Sequence, residues 1–152
     1  MYDFEHMDKR LIAYMNIFVC ANRLQAVMDS GLEGITSRQW VTIMMIDAFN
    51  SPPTLKQLSD ISGVTHQSMR QIVDRLIEKG YLEITHDKTD KRAIRLMKTQ
   101  AAEHIYTKDP GESEDFVYKL FSCLDDNEAE VFCTALEKLC VRLKEIKEDK
   151  CD

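Results

Sequence analysis

Residues 54–98 read TLKQLSDISGVTHQSMRQIVDRLIEKGYLEITHDKTDKRAIRLMK. Thr54 followed three residues later by Gln57 has the form of a capping box, a hydroxyl at the N-cap answered by an amide at the third helical position. It opens a short helix to about Ser62, with Leu55, Leu58 and Ile61 facing inward. Ser62-Gly63-Val64 reads as a tight turn, because glycine takes the positive φ that a helix end requires. Thr65 then caps a second helix. Its apolar residues Met69, Ile72, Val73, Leu76 and Ile77 fall at i, i+3, i+4, i+7 and i+8, a single stripe, and Gly80 stops it. Two helices joined by a short glycine-containing turn are the helix-turn-helix pattern. Tyr81 to Thr85 reads as a strand, His86 to Arg92 as a charged turn, and Ala93 to Met97 as the return strand. A hairpin placed there is a wing.

The flanking sequence is helical. Residues 7–29 carry Leu11, Ile12, Met15, Phe18, Val19, Ala26 and Val27 at mostly helical spacing, and Ala13, Tyr14, Ile17 and Ala21 widen that face beyond what one small domain covers. Thr36 and Gln39 form another capping box before a helix to about Asn50, with Trp40, Ile43, Met44 and Phe49 on its apolar side; Pro52-Pro53 ends it. Residues 100–108 and 112–123 read as two segments broken at Asp109-Pro110-Gly111. Asp125 to Glu128 place acids at the positive end of a last helix, which runs through Val131, Phe132, Leu136, Leu139, Leu143 and Ile146. The expected architecture is mainly α with a small β-wing: a winged helix-turn-helix flanked by N- and C-terminal dimerisation helices.

Composition narrows the function. The chain has 152 residues, 44% of them hydrophobic and 30% charged, with five Gly and three Pro, which suits one folded domain and not a linker or a disordered chain. Leu11 to Ala21 is interrupted by Asn16 and flanked by Lys9-Arg10 and Asn22-Arg23, so no membrane span is expected; with no signal-peptide pattern, a cytoplasmic location is. Five cysteines without C-x-x-C spacing argue against a disulfide framework or a zinc ribbon and for reduced thiols. The scattered His6, His66, His86 and His104 offer no metal-ligand spacing. No nucleophile elbow or phosphate loop is present, so neither enzyme chemistry, a cofactor nor a metal is expected.

The net charge of −6 speaks against a nucleic-acid partner until its distribution is read. Residues 54–98 hold nine basic and six acidic side chains, a +3 island between flanks that total −9. Such asymmetry suits a local phosphate-binding surface. The outward face of the Thr65–Lys79 helix carries His66, Gln67, Ser68, Arg70, Gln71, Asp74 and Arg75 beside the capping Thr65, and its hydroxyl, amide and guanidinium groups hydrogen-bond base edges or phosphates. At the hairpin tip Lys88 and Arg92 have the reach to enter a minor groove, and Asp90, two residues before Arg92, is placed to hold it extended.

These motifs together resemble the MarR family of winged helix-turn-helix transcriptional regulators. The resemblance rests on the capped helix with Gln39 and Trp40, the Leu55-Lys-Gln-Leu-Ser run, Thr65 to Gly80 ending Leu76-Ile-Glu-Lys-Gly-Tyr, and a wing D-x-R-[AG] met by Asp90-Lys91-Arg92-Ala93. It departs at Lys98-Thr99-Gln100-Ala101-Ala102, where the family has Leu-Thr-x-x-Gly, and at Pro110-Gly111. The resemblance implies an intertwined homodimer built from an N-terminal helix (1–35), a DNA-binding winged helix (36–98) and C-terminal helices (99–152). Its recognition helices would sit in adjacent major grooves of a pseudo-palindromic double-stranded operator, and it would act as a repressor modulated by an effector. A pocket at the junction of dimer helices and winged helix is expected from Met15, Phe18, Cys20, Trp40, Met44, Ile105 and Tyr106, a lining suited to a small aromatic or amphipathic molecule. Two rivals are a winged-helix protein-interaction module without DNA binding and a thiol-based redox sensor using Cys20. Against the sensor, Cys20 lies among Phe18, Val19 and Ala21, where burial keeps a thiol inert. Cys133 and Cys140, seven apart, rise ~10.5 Å along one helix face and cannot pair locally.

Overall fold

A computed structural model of the chain describes residues 4, 6–32, 34–86, 94–105 and 112–149. The chain divides into two compact units, residues 1–104 and 105–152. The first holds α1 (Lys9–Gly31), α2 (Ser37–Asp47), α3 (Leu55–Ser62), α4 (His66–Glu78), the antiparallel hairpin β1 (Leu82–His86) and β2 (Ile94–Lys98), and α5 (Gln100–Ile105), whose last residue falls in the second. The second unit carries α6 (Glu112–Phe121) and α7 (Asp126–Glu148).

Local chemistry sets the helix starts. Thr36 and Thr54 both close full capping boxes with Gln39 and Gln57, and Asp125 closes a third with Glu128. Each box satisfies donors that a helix N-terminus otherwise leaves open. Gly63 ends α3 at φ +71° and Gly80 follows α4 at φ +75°.

The core of the first unit lies between α2, α3, α4 and the hairpin. Ile43, Leu58, Met69, Leu76 and Leu82 are fully enclosed, joined by Ile35, Trp40, Ile46, Val73 and Leu96. Each such aliphatic side chain contributes about 1.5–3 kcal/mol of burial. Buried hydroxyls are satisfied locally: Thr42 donates to the Arg38 carbonyl and Ser59 to the Lys56 carbonyl.

The two prolines after α2 explain how the hairpin is fixed. Pro52 and Pro53 have no N–H, so this segment meets a neighbouring strand only as an acceptor. β2 supplies the donors: Leu96 N–H reaches the Pro53 carbonyl at 2.9 Å, and Arg95 Nη1 the Pro52 carbonyl at 2.9 Å. Lys98 adds an ion pair with Asp47 at the end of α2.

Several side chains depart from their expected places. Ile61 and Met44 stand exposed, because the core is covered by Leu58 and Ile43 instead. α2 stops at Asp47, ahead of Asn50, leaving Phe49 half-buried in the loop. α1 is the larger difference. Among its residues whose burial is described, only Ile12, Met15 and Met28 are even half-buried in the single chain, and Leu11, Tyr14, Ile17, Phe18, Val19, Leu24 and Val27 face outward. An 18-residue window within Lys9–Ser30 has a mean hydropathy of 1.3, so despite Asn16 and Arg23 the helix is long and apolar enough by length and composition to cross a membrane, a test that core helices of soluble proteins also pass. Within the second unit, α7 has no buried residue among those described, and Phe121 and Phe132 stack at 6.5 Å.

Candidate nucleic-acid interface

The α3–turn–α4 segment is built as a rigid presenter. Gly63 lets the chain reverse without strain, and Ser62 bridges the turn by donating to the Ser59 carbonyl and accepting from Val64 N–H. Thr65 accepts from Ser68 N–H at 3.1 Å and donates to Ser68 Oγ at 2.9 Å. Met69, Val73 and Leu76 anchor the inner face of α4. That anchoring turns His66, Gln67, Ser68, Arg70, Gln71, Asp74 and Arg75 to solvent. The helix is about 20 Å long and narrow enough for a major groove about 12 Å wide.

All six expected residues on this helix, Thr65, Gln67, Ser68, Arg70, Gln71 and Arg75, therefore share one exposed surface. Lys88, Asp90 and Arg92 lie outside the described residues, as does Tyr106. The strands beneath the wing are described, and Arg95, a basic residue without an assigned part, turns out to tie the wing stem to the α2–α3 loop. A second feature not foreseen in the sequence is the pairing of Asp74, on the same outward face, with Arg70. Asp74 Oδ2 lies 3.4 Å from Arg70 Nε, with the two side chains 51% and 64% exposed. An i,i+4 pair so open to water is weak. It holds Arg70 in place without preventing exchange for a phosphate. Helical spacing alone would have revealed it.

The expected pocket residues are distributed as follows. Trp40 is buried in the winged-helix core, Met44 and Cys20 are exposed, and Met15 and Ile105 are half-buried. Phe18 is exposed and stacks edge-on against Tyr14 at 5.2 Å. Cys20 is thus not enclosed by its own chain, contrary to the apolar burial expected of it. Cys123, Cys133 and Cys140 are also exposed free thiols. Among the described residues no group of His, Cys, Asp and Glu is arranged to hold a metal ion.

Of the two departures from the resemblance, Pro110-Gly111 lies outside the described residues, and the structure gives Lys98 to Ala102 a place. Lys98 pairs with Asp47, and Ala102 is fully buried. Thr99 between them donates to the Gly80 carbonyl at 2.6 Å, its N–H reaches the Tyr81 carbonyl, and its Oγ1 accepts from Ala102 N–H. The turn after α4 is thereby fastened to the start of α5.

Residues 33–93 match the MarR family. The winged helix is similar to that family over this stretch. The fold extends that likeness over most of the chain. It is similar to a MarR/EmrR family transcriptional regulator from Acinetobacter sp. ADP1, with a TM-score of 0.78 and 21% identity over 91% of this chain and 99% of that one. It is also similar to FabT of Streptococcus pneumoniae, solved in complex with DNA, with a TM-score of 0.66 and 22% identity over 91% and 98%. In sequence, YpoP of Bacillus subtilis (strain 168), an uncharacterized HTH-type transcriptional regulator, is 24% identical over 139 residues, 91% of this chain and 92% of that protein.

Proposed function

We propose that this MarR-like chain is a cytoplasmic, homodimeric, sequence-specific DNA-binding regulator of transcription, acting as a repressor on a pseudo-palindromic operator. The observation that carries the reading is the exposed polar face of α4, set on a capped helix-turn-helix whose core holds it rigid. FabT, of the same fold, is solved on DNA. In this reading Gln67, Ser68, Arg70 and Gln71 reach base edges or phosphates, Thr65 and Arg75 contact the backbone, and Lys88 and Arg92 enter the minor groove with Asp90 steadying Arg92.

The homodimer is supported by apolar side chains that the single chain leaves in water. Leu11, Ile17 and Val27 on α1, and Val131, Leu139 and Leu143 on α7, are all exposed. Contiguous faces of this kind mark interaction surfaces. A second copy covers both helices at once, whereas a membrane would account only for α1. Residues 1–35 and 99–152 thus form the dimer and residues 36–98 read DNA. A small aromatic or amphipathic effector, bound by Met15, Phe18, Cys20, Trp40, Met44, Ile105 and Tyr106, shifts the dimer away from its DNA-binding form in proportion to its differential affinity for the two forms.

The test is a binding titration with duplex DNA from upstream of the regulator's own gene. Wild-type protein is expected to bind, with log affinity falling steeply against log salt as phosphate counterions are released. Absence of binding at low salt hands the fold to the protein-interaction reading. Titration with salicylate is expected to quench Trp40 and release the duplex over one concentration range. Release by peroxide in wild type but not in Cys20→Ser replaces the effector with a thiol sensor.

A further inference from the structure

The end of α1, the start of α2 and the end of α4 meet in one polar cluster within the first unit. Asp29, two residues before the last of α1, accepts from Ser37 N–H, the first residue of α2, at 2.7 Å. Lys79, just past α4, donates from Nζ to the Gly34 carbonyl at 2.7 Å and to Gln39 Oε1 at 3.0 Å. Gln39 is only 4% exposed, and the same Oε1 accepts from Thr36 N–H at 3.2 Å. The α1–α2 connection is therefore gripped from both sides, by a carboxylate from α1 and an ammonium from α4. Lys79 spans 45 positions of sequence to reach Gly34, so this bond serves no local turn.

We propose that Lys79 and Asp29 are positioning residues that fix the direction in which α4 is carried on α1. In a dimer joined through α1, they thereby set the distance between the two recognition helices. The inference rests on the homodimeric DNA-binding reading and deepens it. An ammonium is a compact, strongly hydrated charge whose donors reorient readily. Its two acceptors, the Gly34 carbonyl on the connection and Gln39 Oε1 on the first turn of α2, hold it only while α4 and the start of α2 keep their relative placement. Removing either grip leaves the core of Leu58, Met69 and Leu76 untouched but releases the angle between the elements.

The test uses the full-length chain in a background with the cysteines changed to serine. Inter-protomer distances are measured by pulsed electron resonance with nitroxides at position 71 of both protomers. DNA affinity is measured on the unlabelled protein, with Gln71 intact, using an inverted-repeat duplex recovered by selection from random DNA and versions with the half-sites moved by two base pairs. For unaltered Lys79 and Asp29, a narrow distance distribution and about a tenfold or greater loss on the shifted duplexes are expected. Lys79→Met is expected to broaden the distribution and shrink that loss to about twofold, with non-specific affinity unchanged; Lys79→Arg restores both. Asp29→Ala, made independently, is expected to do the same, so an unfolded Lys79→Met chain does not remove the test. If the parent protein gives no inter-protomer distance or binds no duplex, the homodimeric regulator reading falls. If the parent passes both and the variants leave the distribution and the spacing preference unchanged, this inference alone falls.

Discussion

At the scale of single residues, the account separates side chains that read DNA from those that hold the reader. Gln67→Ala and Arg70→Ala are expected to relax sequence preference more than they weaken non-specific binding. Arg92→Ala should cost about 1–3 kcal/mol of operator affinity with the fold intact. Asp74 should behave oppositely. Asp74→Asn removes a negative charge from the DNA-facing helix and frees Arg70, so affinity for any duplex should rise a few-fold, by about 0.5–1 kcal/mol per charge pair removed; a fall on the same titration would place Asp74 among the contacts. Asp29 makes a pH-dependent prediction. The Ser37 backbone N–H, then its hydroxyl, hold the carboxyl below its ordinary value, with Gln25 and Arg38 adding to the effect and desolvation opposing it. A lowered folded pKa means the unfolded chain binds the proton more readily. The stabilisation is therefore complete above about pH 4 and is lost as pH falls through the folded value. Asp29→Asn should lower the denaturation midpoint at pH 7, and the difference from wild type should shrink as pH falls through the folded value.

At the scale of elements, turns and caps decide where the reading helix begins. Gly63 has open space where a Cβ would go, but its φ of +71° is one that L-residues avoid. Gly63→Ala should therefore cost about 1–2 kcal/mol in urea denaturation through backbone strain alone. Deleting Leu136 to Asp152 removes the outer half of α7 with Leu139 and Leu143, and the shortened chain is expected to aggregate or fail to fold; a well-behaved product in size-exclusion chromatography would contradict the dimer assignment. Much of this layout was legible beforehand. The capping boxes at Thr36 and Thr54 and the stripe from Met69 to Leu76 are local signals, carried by spacings of three and four. The connections that fasten the elements were not legible. Arg95 to Pro52, Lys98 to Asp47 and Lys79 to Gly34 join residues 43, 51 and 45 positions apart, and no periodicity records such a pairing. Exposure of Ile61 and Met44 was missed for a related reason. Both sit on the apolar side by spacing, yet a helix of this size packs through only part of that side.

At the scale of the whole molecule, the exposed apolar side chains of α1 and α7 and the polar α4 face make one joint demand. The solution mass should be twice that of the 17.6 kDa chain, independent of oxidant, with an interface larger than about 2,000 Å² typical of obligate dimers; a monomer at micromolar concentration would contradict it. Two copies related by a two-fold axis impose their symmetry on whatever they read. The most direct measurement is therefore selection of bound sequences from a pool of random duplex DNA by the wild-type protein. The account predicts enrichment of inverted repeats whose half-sites lie about one helical turn, 10 base pairs, apart. A pool that stays random after repeated rounds, or that yields single unpaired sites, would contradict it.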